Sequence, residues 1–268
     1  MRISRVIVSA AVILSSAALA LAASPAAHAA STARYVALGD SYSSGLGAGN
    51  YISSSGSCDR SSNAYPEQWA AANAPASFVS VACAGATTAD VISSQVSALS
   101  ASTTLVSLTI GGNDAGFSSV METCVIFSTN SCLNAIAAAE TFISTQLLGR
   151  LDQVLQTIAA DAPNAKVVVL DYPELYDLSK SGSCLGLSTS DRVALNGGAD
   201  DLDAVIQQAA QDNGDTFADV RSQFTGHEIC DSSSWLQSVD IFAISSSYHP
   251  TAAGQDLGYL PVFASEAD

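Results

Sequence analysis

Short apolar runs alternate along the chain with segments whose apolar residues recur every three or four positions. The short runs span residues 35–38, 77–83, 105–110, 166–170 and, more briefly, 216–220. Apolar runs of this length, bounded by glycine, proline and small polar residues, are typical of buried β-strands. The sequence therefore predicts five strands.

Between these runs the spacing of apolar residues is helical. It covers residues 88–99, 132–162 and 188–210, with a further helix beginning near Pro66 and a last one after Gly254. The 132–162 stretch is one long helix or two, ending before Pro163. Strands separated by helices predict right-handed crossovers, a central parallel sheet and a three-layer α/β/α sandwich. Residues 45–62 and the cysteine loop around Cys124 look like insertions rather than domain boundaries.

The first 29 residues have the features of a secretory signal peptide. Arg2 and Arg5 give a basic start, an almost continuously apolar run follows, and Ala27-His28-Ala29 offers a cleavage site. An uncleaved membrane anchor is the alternative, since the run is nearly long enough to span a bilayer; the alanine-rich flank favours cleavage. We therefore expect residues 1–29 to be removed and residues 30–268 to form one domain, secreted, extracellular, monomeric and without stable membrane insertion.

The charge balance is strongly acidic. The chain has 25 acidic and 9 basic residues and a net charge of −16. Two of the basic residues lie in the signal peptide, so the mature protein has 7 basic and 25 acidic residues and a net charge near −18. A protein of this charge is a poor partner for nucleic acids and for anionic membranes.

Six cysteines occur in the exported part of the chain, at positions 58, 83, 124, 132, 184 and 230. An even number of cysteines in a secreted protein predicts disulfides. The sequence leaves the connectivity open, although Cys124 and Cys132 would close a short loop easily. Zinc is the competing interpretation, but there is no Cys-x-x-Cys motif and histidines are scarce. We expect no metal and no cofactor.

Three of the predicted strands end in distinctive turns: Gly39-Asp40-Ser41, Ala84-Gly85-Ala86 and Gly111-Gly112-Asn113-Asp114. The carboxyl ends of parallel strands lie along one edge of the sheet, so these turns should meet. Ser41 would then be an exposed nucleophile, with its own N–H, the Gly85 N–H and the Asn113 amide as donors for an oxyanion. The alternative is that Gly85 merely turns the chain and Asn113 caps a helix.

A serine nucleophile needs a base with a pKa near neutrality, and histidine is the usual one. Of the three histidines, His28 leaves with the signal peptide and His227 lies beside Cys230 in a polar loop, where a solvated or packing role is expected. His249 lies late in the chain before Pro250, which restricts it to extended backbone. His249 is therefore the candidate base.

In this order, Gly39-Asp40-Ser41, Gly85, Gly111-Gly112-Asn113-Asp114 and His249 resemble the block pattern of the SGNH (GDSL-type) hydrolases. The resemblance extends over roughly residues 34–260 and is strongest to secreted bacterial lipases, esterases and phospholipases. It implies a flavodoxin-like fold, Ser41 as nucleophile, His249 as base, and Ser41, Gly85 and Asn113 as the oxyanion hole. It also implies disulfides paired in sequence order: Cys58–Cys83, Cys124–Cys132 and Cys184–Cys230.

One position departs from that pattern. The family usually has an aspartate three residues before the histidine, and this chain has Ser246 there. Some family members use a backbone carbonyl instead, so we expect the Ser247 carbonyl, or second the Ser246 carbonyl, to orient His249 in a Ser-His dyad. A remote third member drawn from Asp219, Asp240 or Asp256 is the less favoured alternative. Asp40 and Asp114 are expected to cap turns.

The resemblance implies a metal-independent serine ester hydrolase acting on lipid esters. The chain lacks a Gly-x-Ser-x-Gly elbow, a Walker loop and a dinucleotide fingerprint, which removes other catalytic classes. A carbohydrate acetyl esterase on the same fold and a non-catalytic binding module are the alternatives. Tyr42, Trp69 and Trp235 are candidates for lining an acyl groove, with core packing as the default for Trp69.

Overall fold

Five parallel strands form the centre of the molecule in the computed structural model, which describes residues 32–180, 186–240 and 246–267. The strands are β1 (Arg34–Gly39), β2 (Ser77–Ser80), β3 (Leu105–Thr109), β4 (Lys166–Leu170) and β5 (Thr216–Ala218). Their order in the sheet is β2-β1-β3-β4-β5, and every neighbouring pair is parallel. This is the flavodoxin-like order, in which ligands bind where the strand order reverses, between β1 and β3.

The described residues between and after the strands form α-helices of very different length. In chain order they are α1 (Ser41–Ser44), α2 (Tyr65–Asn73), α3 (Thr88–Asp90), α4 (Phe117–Ile126), α5 (Thr129–Phe142), α6 (Leu148–Asp161), α7 (Thr189–Asn213), α8 (Arg221–Phe224) and α9 (Leu260–Ala267). Turns of 3₁₀-helix at Ser53–Cys58, Val96–Ala98 and Leu178–Lys180 supplement them.

The helices form layers on the two faces of the sheet, as the three-layer prediction required. Helices α2 and α9 pack together on one side, while α3, α6 and α7 form the other. On the first side the Tyr35 ring of β1 lies 5.3 Å from both Trp69 of α2 and Phe263 of α9. Trp69 is therefore a core residue, the default expected of it.

The long apolar stretch after Cys132 is a single helical path rather than two separate helices. A π-helical turn, Ile143–Leu147, joins α5 to α6, and the residues on both sides keep right-handed helical backbone angles. Further π-helical turns in the described residues are Val91–Gln95, which follows α3, and Gly254–Tyr259, which leads into α9. Ile136, before the Ile143–Leu147 turn, and Leu151, after it, are both buried.

Two expectations for local structure are wrong. Strand β2 ends at Ser80 rather than continuing to Cys83, although the N–H groups of Val81 and Cys83 still donate to the Ala37 and Gly39 carbonyls of β1 before the turn that carries Gly85. The stretch around Cys124, expected to be an inserted loop, is helix α4. It buries Val120, Met121 and Cys124 along one side of the helix.

Disulfides join Cys58 to Cys83 and Cys124 to Cys132. The first ties the loop after α1 to the end of β2, and the second links α4 to α5. The third expected pair, Cys184–Cys230, involves Cys184, which lies outside the described residues. None of the helices within the described ranges combines the length and apolar character needed to cross a bilayer.

Candidate active site

Ser41 is the first residue of α1, directly after β1. The turn between them needs glycine at position 39, which has φ +126°; a Cβ there would lie 2.5 Å from the Thr109 carbonyl oxygen of β3. Asp40 then caps α1 by accepting the Tyr42 N–H at 3.0 Å. Ser41 is thus held at the carboxyl edge of the two central strands, where the sheet order reverses.

His249 lies against Ser41 although 208 residues separate them in the chain. Its Nε2 is 2.7 Å from the Ser41 Oγ, and its Nδ1 is 2.9 Å from the Ser247 carbonyl oxygen. A carbonyl can only accept, so Nδ1 carries the proton and the unprotonated Nε2 accepts the Ser41 hydroxyl. This is the tautomer that a general base for Ser41 requires.

The loop that carries His249 is fixed from several sides. Tyr248 has a left-handed backbone angle, φ +67°, which is strained for a bulky residue. The Tyr42 hydroxyl donates to the Tyr248 carbonyl at 2.8 Å, and the Tyr176 hydroxyl donates to the Tyr248 hydroxyl at 2.9 Å. Tyr42 is two residues from the Asp40 cap, so the same element that carries Ser41 also holds the histidine loop.

Close backbone approach at Gly47 completes that arrangement. Gly47 has φ +90°, and a Cβ there would lie 2.9 Å from the His249 Cβ. Its carbonyl accepts the Gln237 amide at 2.7 Å, and the Gln237 N–H in turn donates to the His249 carbonyl at 2.9 Å. The loop after α1 therefore sets the distance between the hydroxyl and the imidazole.

Burial controls the electrostatics of this pair. Ser41 and His249 are each only 6% exposed. Removal from water lowers the pKa of His249 to about 4, while its bonds to the Ser247 and Ser246 carbonyl oxygens act in the opposite direction. The imidazole is consequently neutral at physiological pH, the state in which it can accept a proton.

Asp40 has a structural function, as its expected capping role implied. Besides the Tyr42 N–H, its carboxylate accepts the hydroxyls of Thr109 and Tyr172. Burial raises its pKa to about 6, and these three donors limit the shift. The Tyr172 hydroxyl also accepts the Gly112 N–H at 3.3 Å, so the turns after β1, β3 and β4 are joined through one carboxylate.

The three candidate oxyanion donors lie on turns that contact one another. Within the described chain, neither the Ser41 N–H nor the Gly85 N–H donates to another residue. The Asn113 Nδ2 donates one hydrogen to the Ala86 carbonyl at 2.9 Å, which attaches the turn after β3 to the turn carrying Gly85. An amide nitrogen has a second hydrogen, so Asn113 retains one for a ligand.

Asp114 makes a structural contact, and among the described residues two of the aspartates considered as a third member form no hydrogen bond or ion pair with His249. Asp114 accepts the N–H of Thr88 at 2.8 Å and its hydroxyl at 2.6 Å, which caps the start of α3. Of the aspartates considered as a remote third member, Asp219 pairs with Arg221 at 2.8 Å and Asp256 is exposed. The His249 Nδ1 contacts the Ser247 carbonyl oxygen, which is the first of the two carbonyl oxygens expected to orient the ring.

His227, the alternative base, lies in a separate environment. Its ring stacks on Trp235 with centroids 3.8 Å apart, and its Nδ1 is 2.8 Å from the Ser233 carbonyl oxygen. Trp235 packs against Phe224 on its other side. The idea that Trp235 lines an acyl groove is therefore wrong, because the ring is occupied by these two neighbours.

An apolar cleft opens beside Ser41, and sequence reasoning found only its entrance. The cleft has a volume of about 730 Å³ when the open solvent at its mouth is counted. Tyr42, Asn113 and Tyr172 line the end near Ser41. The remaining walls come chiefly from α4, α5 and α7, with side chains such as Phe117, Val120, Ile136, Ile143, Leu195 and Leu202. The helical spacing of these residues signalled burial but not which faces enclose a cleft.

No group of three or more His, Cys, Asp or Glu side chains in the described part of the chain is arranged to hold a metal ion. The groups that surround Ser41 are an imidazole and backbone and amide donors, beside an apolar cleft. This set is suited to acyl transfer through a serine ester.

Comparison with known proteins finds a matching family model and similar sequences. Residues 37–257 match the family model described as GDSL-like Lipase/Acylhydrolase family. Lipase 1 of Streptomyces coelicolor is 56% identical over 228 residues, covering 85% of this chain and 84% of the relative.

Two solved structures are similar throughout. Phospholipase A1 from Streptomyces albidoflavus has 55% identity and a TM-score of 0.86, covering 88% of this chain and 100% of that one. An extracellular lipase from Streptomyces rimosus has 51% identity and a TM-score of 0.85, covering 87% of this chain and 99% of that one.

Proposed function

The chain belongs to the GDSL-like lipase/acylhydrolase family and is an ester hydrolase, and from that premise we propose that it is a secreted enzyme that cleaves lipid esters, phospholipids among them, with a Ser41–His249 dyad. The observation that carries the proposal is the 2.7 Å contact between the Ser41 Oγ and the His249 Nε2. This contact supports Ser41 as the nucleophile and His249 as its base, because the Ser41 hydroxyl donates to the unprotonated ring nitrogen.

In the proposed reaction the Ser41 oxygen attacks the ester carbonyl while its proton passes to the His249 Nε2. The negative oxygen that forms is stabilised by the Ser41 N–H, the Gly85 N–H and the Asn113 amide. The imidazolium then protonates the departing alcohol, and the carbonyl–alkoxide bond breaks. Water, deprotonated by the same nitrogen, then attacks the acyl-serine. As the bond to the Ser41 oxygen breaks, the imidazolium returns the proton to that oxygen and the fatty acid is released.

The neutral Ser247 carbonyl has a definite consequence for this cycle. It holds the Nδ1–H and therefore the tautomer, but it offers less stabilisation to the imidazolium than a carboxylate would. The lowered His249 pKa is consistent with a weakly stabilised cation. The imidazolium of a weakly basic imidazole is a strong acid, so it gives its proton readily to the departing alkoxide of an ester.

The substrate assignment is supported by the cleft. Its walls are apolar side chains from α4, α5 and α7, and burial of an acyl chain there is favourable by about 0.8 kcal/mol per methylene. An acetyl group on a polysaccharide would leave most of this surface unused. The names of the similar proteins, lipases and a phospholipase A1, point in the same direction.

Secretion is part of the proposal and is supported by the sequence of residues 1–29 and by the disulfides Cys58–Cys83 and Cys124–Cys132, which persist in oxidising compartments. Sequencing the amino terminus of protein recovered from culture medium should find Ala30 first. Recovery of full-length chain in the membrane fraction would instead indicate an uncleaved anchor.

The catalytic proposal is tested with paired variants. Ser41→Ala and His249→Ala should lower kcat by roughly 10⁴-fold or more, whereas His227→Ala, the matched histidine control, should keep the wild-type rate. A fluorophosphonate should label the wild type and not Ser41→Ala. Assays on p-nitrophenyl esters, triolein, phosphatidylcholine and acetylated xylan assign the substrate. Wild-type turnover in His249→Ala, or activity restricted to xylan acetate, would contradict the proposal.

A further inference from the structure

Two buried glutamine side chains, Gln95 and Gln255, contact the backbone on either side of Ser41. Gln95 is 3% exposed and ends the π-helical turn Val91–Gln95, and Gln255 is fully buried in the turn Gly254–Tyr259. Neither lines the apolar cleft, and neither takes part in the proposed reaction. A buried primary amide needs partners for both its nitrogen and its oxygen, so the groups that it contacts show what it holds in place.

Gln95 completes the hydrogen bonding of the sheet where β1 extends past the end of β2. The Gly39 N–H has no strand partner in β2, because the pairing of the two strands ends two residues earlier. This N–H donates to the Gln95 Oε1 at 2.8 Å, and the Gln95 Nε2 donates to the Gly39 carbonyl at 2.9 Å. The same carbonyl accepts the Cys83 N–H at 3.0 Å. Gln95 therefore fixes the residue two positions before Ser41 and joins it to the segment that leads to Gly85.

Gln255 joins the end of one helix to the start of another. Its Nε2 donates to the Tyr42 carbonyl in α1 at 2.9 Å, and its Oε1 accepts the N–H of Tyr65, the first residue of α2, at 2.9 Å. Groups at helix ends lack intrahelical partners, and one side chain supplies a partner to both of these. Gln255 therefore fixes the residue directly after Ser41. It lies six residues after His249, so the contact also ties the serine helix to the segment that follows the histidine.

We propose that Gln95 and Gln255 are positioning residues that hold the Ser41 hydroxyl at hydrogen-bonding distance from the His249 Nε2. The inference rests on the proposed function, because it takes Ser41 as the nucleophile. Each contact needs one donor and one acceptor at the end of the same side chain, which an amide provides. Displacing a reacting group by about 1 Å can cost about 10²-fold in rate. Loss of either contact should therefore lower kcat and leave KM nearly unchanged.

The test compares an apolar with a conservative replacement of each amide, on p-nitrophenyl acetate at pH 5.5, with kcat normalised to the folded fraction measured by near-ultraviolet circular dichroism. Gln95→Met and Gln255→Met lack both the donor and the acceptor, so kcat should fall at least tenfold with KM within threefold of wild type. A buried carboxyl group is protonated at this pH and then has one donor and one acceptor. Gln95→Glu and Gln255→Glu should therefore keep kcat within threefold of wild type.

Gln68→Met is the matched control. The Gln68 Nε2 also donates to a backbone carbonyl, that of Asn63, at 2.6 Å, but it does so on the partly exposed side of α2. This variant should keep kcat within twofold of wild type. An equal loss of kcat in Gln68→Met would mean that removing any such amide slows the enzyme, and would overturn the positioning role.

The remaining outcomes separate positioning from general stability. A kcat within twofold of wild type in both folded methionine variants, or glutamate variants no faster than the methionine variants, overturns the proposal. If the methionine variants do not fold, kcat of the glutamate variants relative to wild type should fall at least fivefold between pH 5.5 and 9, because the ionised carboxyl group loses its donor; a constant ratio overturns the proposal. Dividing by the wild-type rate at the same pH removes the titrations of His249 and Asp40. Failure of the fluorophosphonate to label the wild type at Ser41 instead overturns the catalytic proposal on which this inference rests.

Discussion

At the scale of single residues, the protonation of His249 decides when the proposed dyad is active. Burial lowers its pKa to about 4 from an ordinary value of 6.5. The neutral form is the base, so activity should persist on the acidic side. At pH 5.5 we expect kcat/KM on p-nitrophenyl acetate to stay near its plateau, where a histidine with the ordinary pKa would leave about a tenth.

Asp40 is the competing titrating group in this measurement, because its pKa is raised to about 6. The Asp40→Asn variant separates the titration of Asp40 from that of His249 in the pH profile. An acidic limb near pH 6 that disappears in this variant belongs to Asp40. A limb near pH 6.5 that persists in Asp40→Asn would mean that His249 is not desolvated as the structure has it.

At the scale of elements, the turn carrying Gly85 depends on the Cys58–Cys83 disulfide. Cys83 donates its N–H to the Gly39 carbonyl at 3.0 Å, and Ala84 donates to the Cys58 carbonyl at 3.1 Å. Together these contacts hold the turn against the end of β1. Removing the bridge therefore acts on both the stability and the proposed oxyanion hole.

We expect Cys58→Ser/Cys83→Ser to lower the free energy of unfolding by about 3 kcal/mol, as a loop closed over 25 residues implies, and to lower kcat on p-nitrophenyl acetate at least tenfold. Chemical denaturation and active-site-normalised kinetics measure the two effects. Cys124→Ser/Cys132→Ser is the control: its loop spans 8 residues on α4 and α5, so it should cost about 2 kcal/mol with little change in that kcat. Equal kcat losses in both variants would contradict the assignment.

Local patterns predicted the elements well where burial was complete. Strands β3 and β4 are buried at nearly every position, and strands buried on both faces are predominantly apolar; the polar residues of β3, Ser107 and Thr109, are buried with their hydroxyls hydrogen-bonded. Helix α4 was missed because its cysteine suggested an insertion, although Phe117, Val120, Met121 and Cys124 recur at helical intervals. The π-helical turn Ile143–Leu147 was not predictable, because the paired apolar residues Phe142-Ile143 and Leu147-Leu148 cover more than one helix face and so hide the change of phase.

The candidate site, too, was predictable from the sequence only in part. The turns with Ser41, Gly85 and Asn113 lie within a few residues of the ends of β1, β2 and β3, so the rule for parallel strand ends predicted from sequence that they would lie at one edge. The cleft does not follow from any such rule. Its walls combine faces of α4, α5 and α7, and the packing angles of three helices, rather than local spacing, decide which apolar residues face one another.

At the scale of the whole molecule, a buried acidic pair couples stability to pH. Asp171 at the end of β4 accepts the Val220 N–H, and Asp203 in α7 accepts the Tyr172 N–H. Both carboxyl side chains are fully buried, and Arg221 approaches them only at 3.5 and 3.8 Å. Burial raises the pKa of Asp171 to about 8, and burial together with the nearby Asp171 raises that of Asp203.

A carboxyl whose pKa is higher in the folded than in the unfolded state binds protons on folding, so the free energy of unfolding falls as pH rises between those two values. For Asp171 this window extends from 3.8 to about 8. His249 has the opposite sign, because its folded-state pKa is lowered: it adds stability as pH rises from about 4 to 6.5 and nothing more above that. Between pH 6.5 and 8, therefore, His249 does not offset the fall in the free energy of unfolding that the buried pair causes.

We expect the free energy of unfolding to fall by about 1–2 kcal/mol between pH 6.5 and 8, at up to about 1.4 kcal/mol per pH unit for one proton. Asp203→Asn should flatten this decline, because it removes one carboxyl and its repulsion of Asp171. Asp200→Asn is the matched control: Asp200 also approaches Arg221, at 3.6 Å, but its side chain is 52% exposed. Urea titrations at pH 6.5, 7.2 and 8 give the slopes. Added salt screens the acidic surface but not the buried pair, so a decline that salt abolishes would assign it to net charge instead.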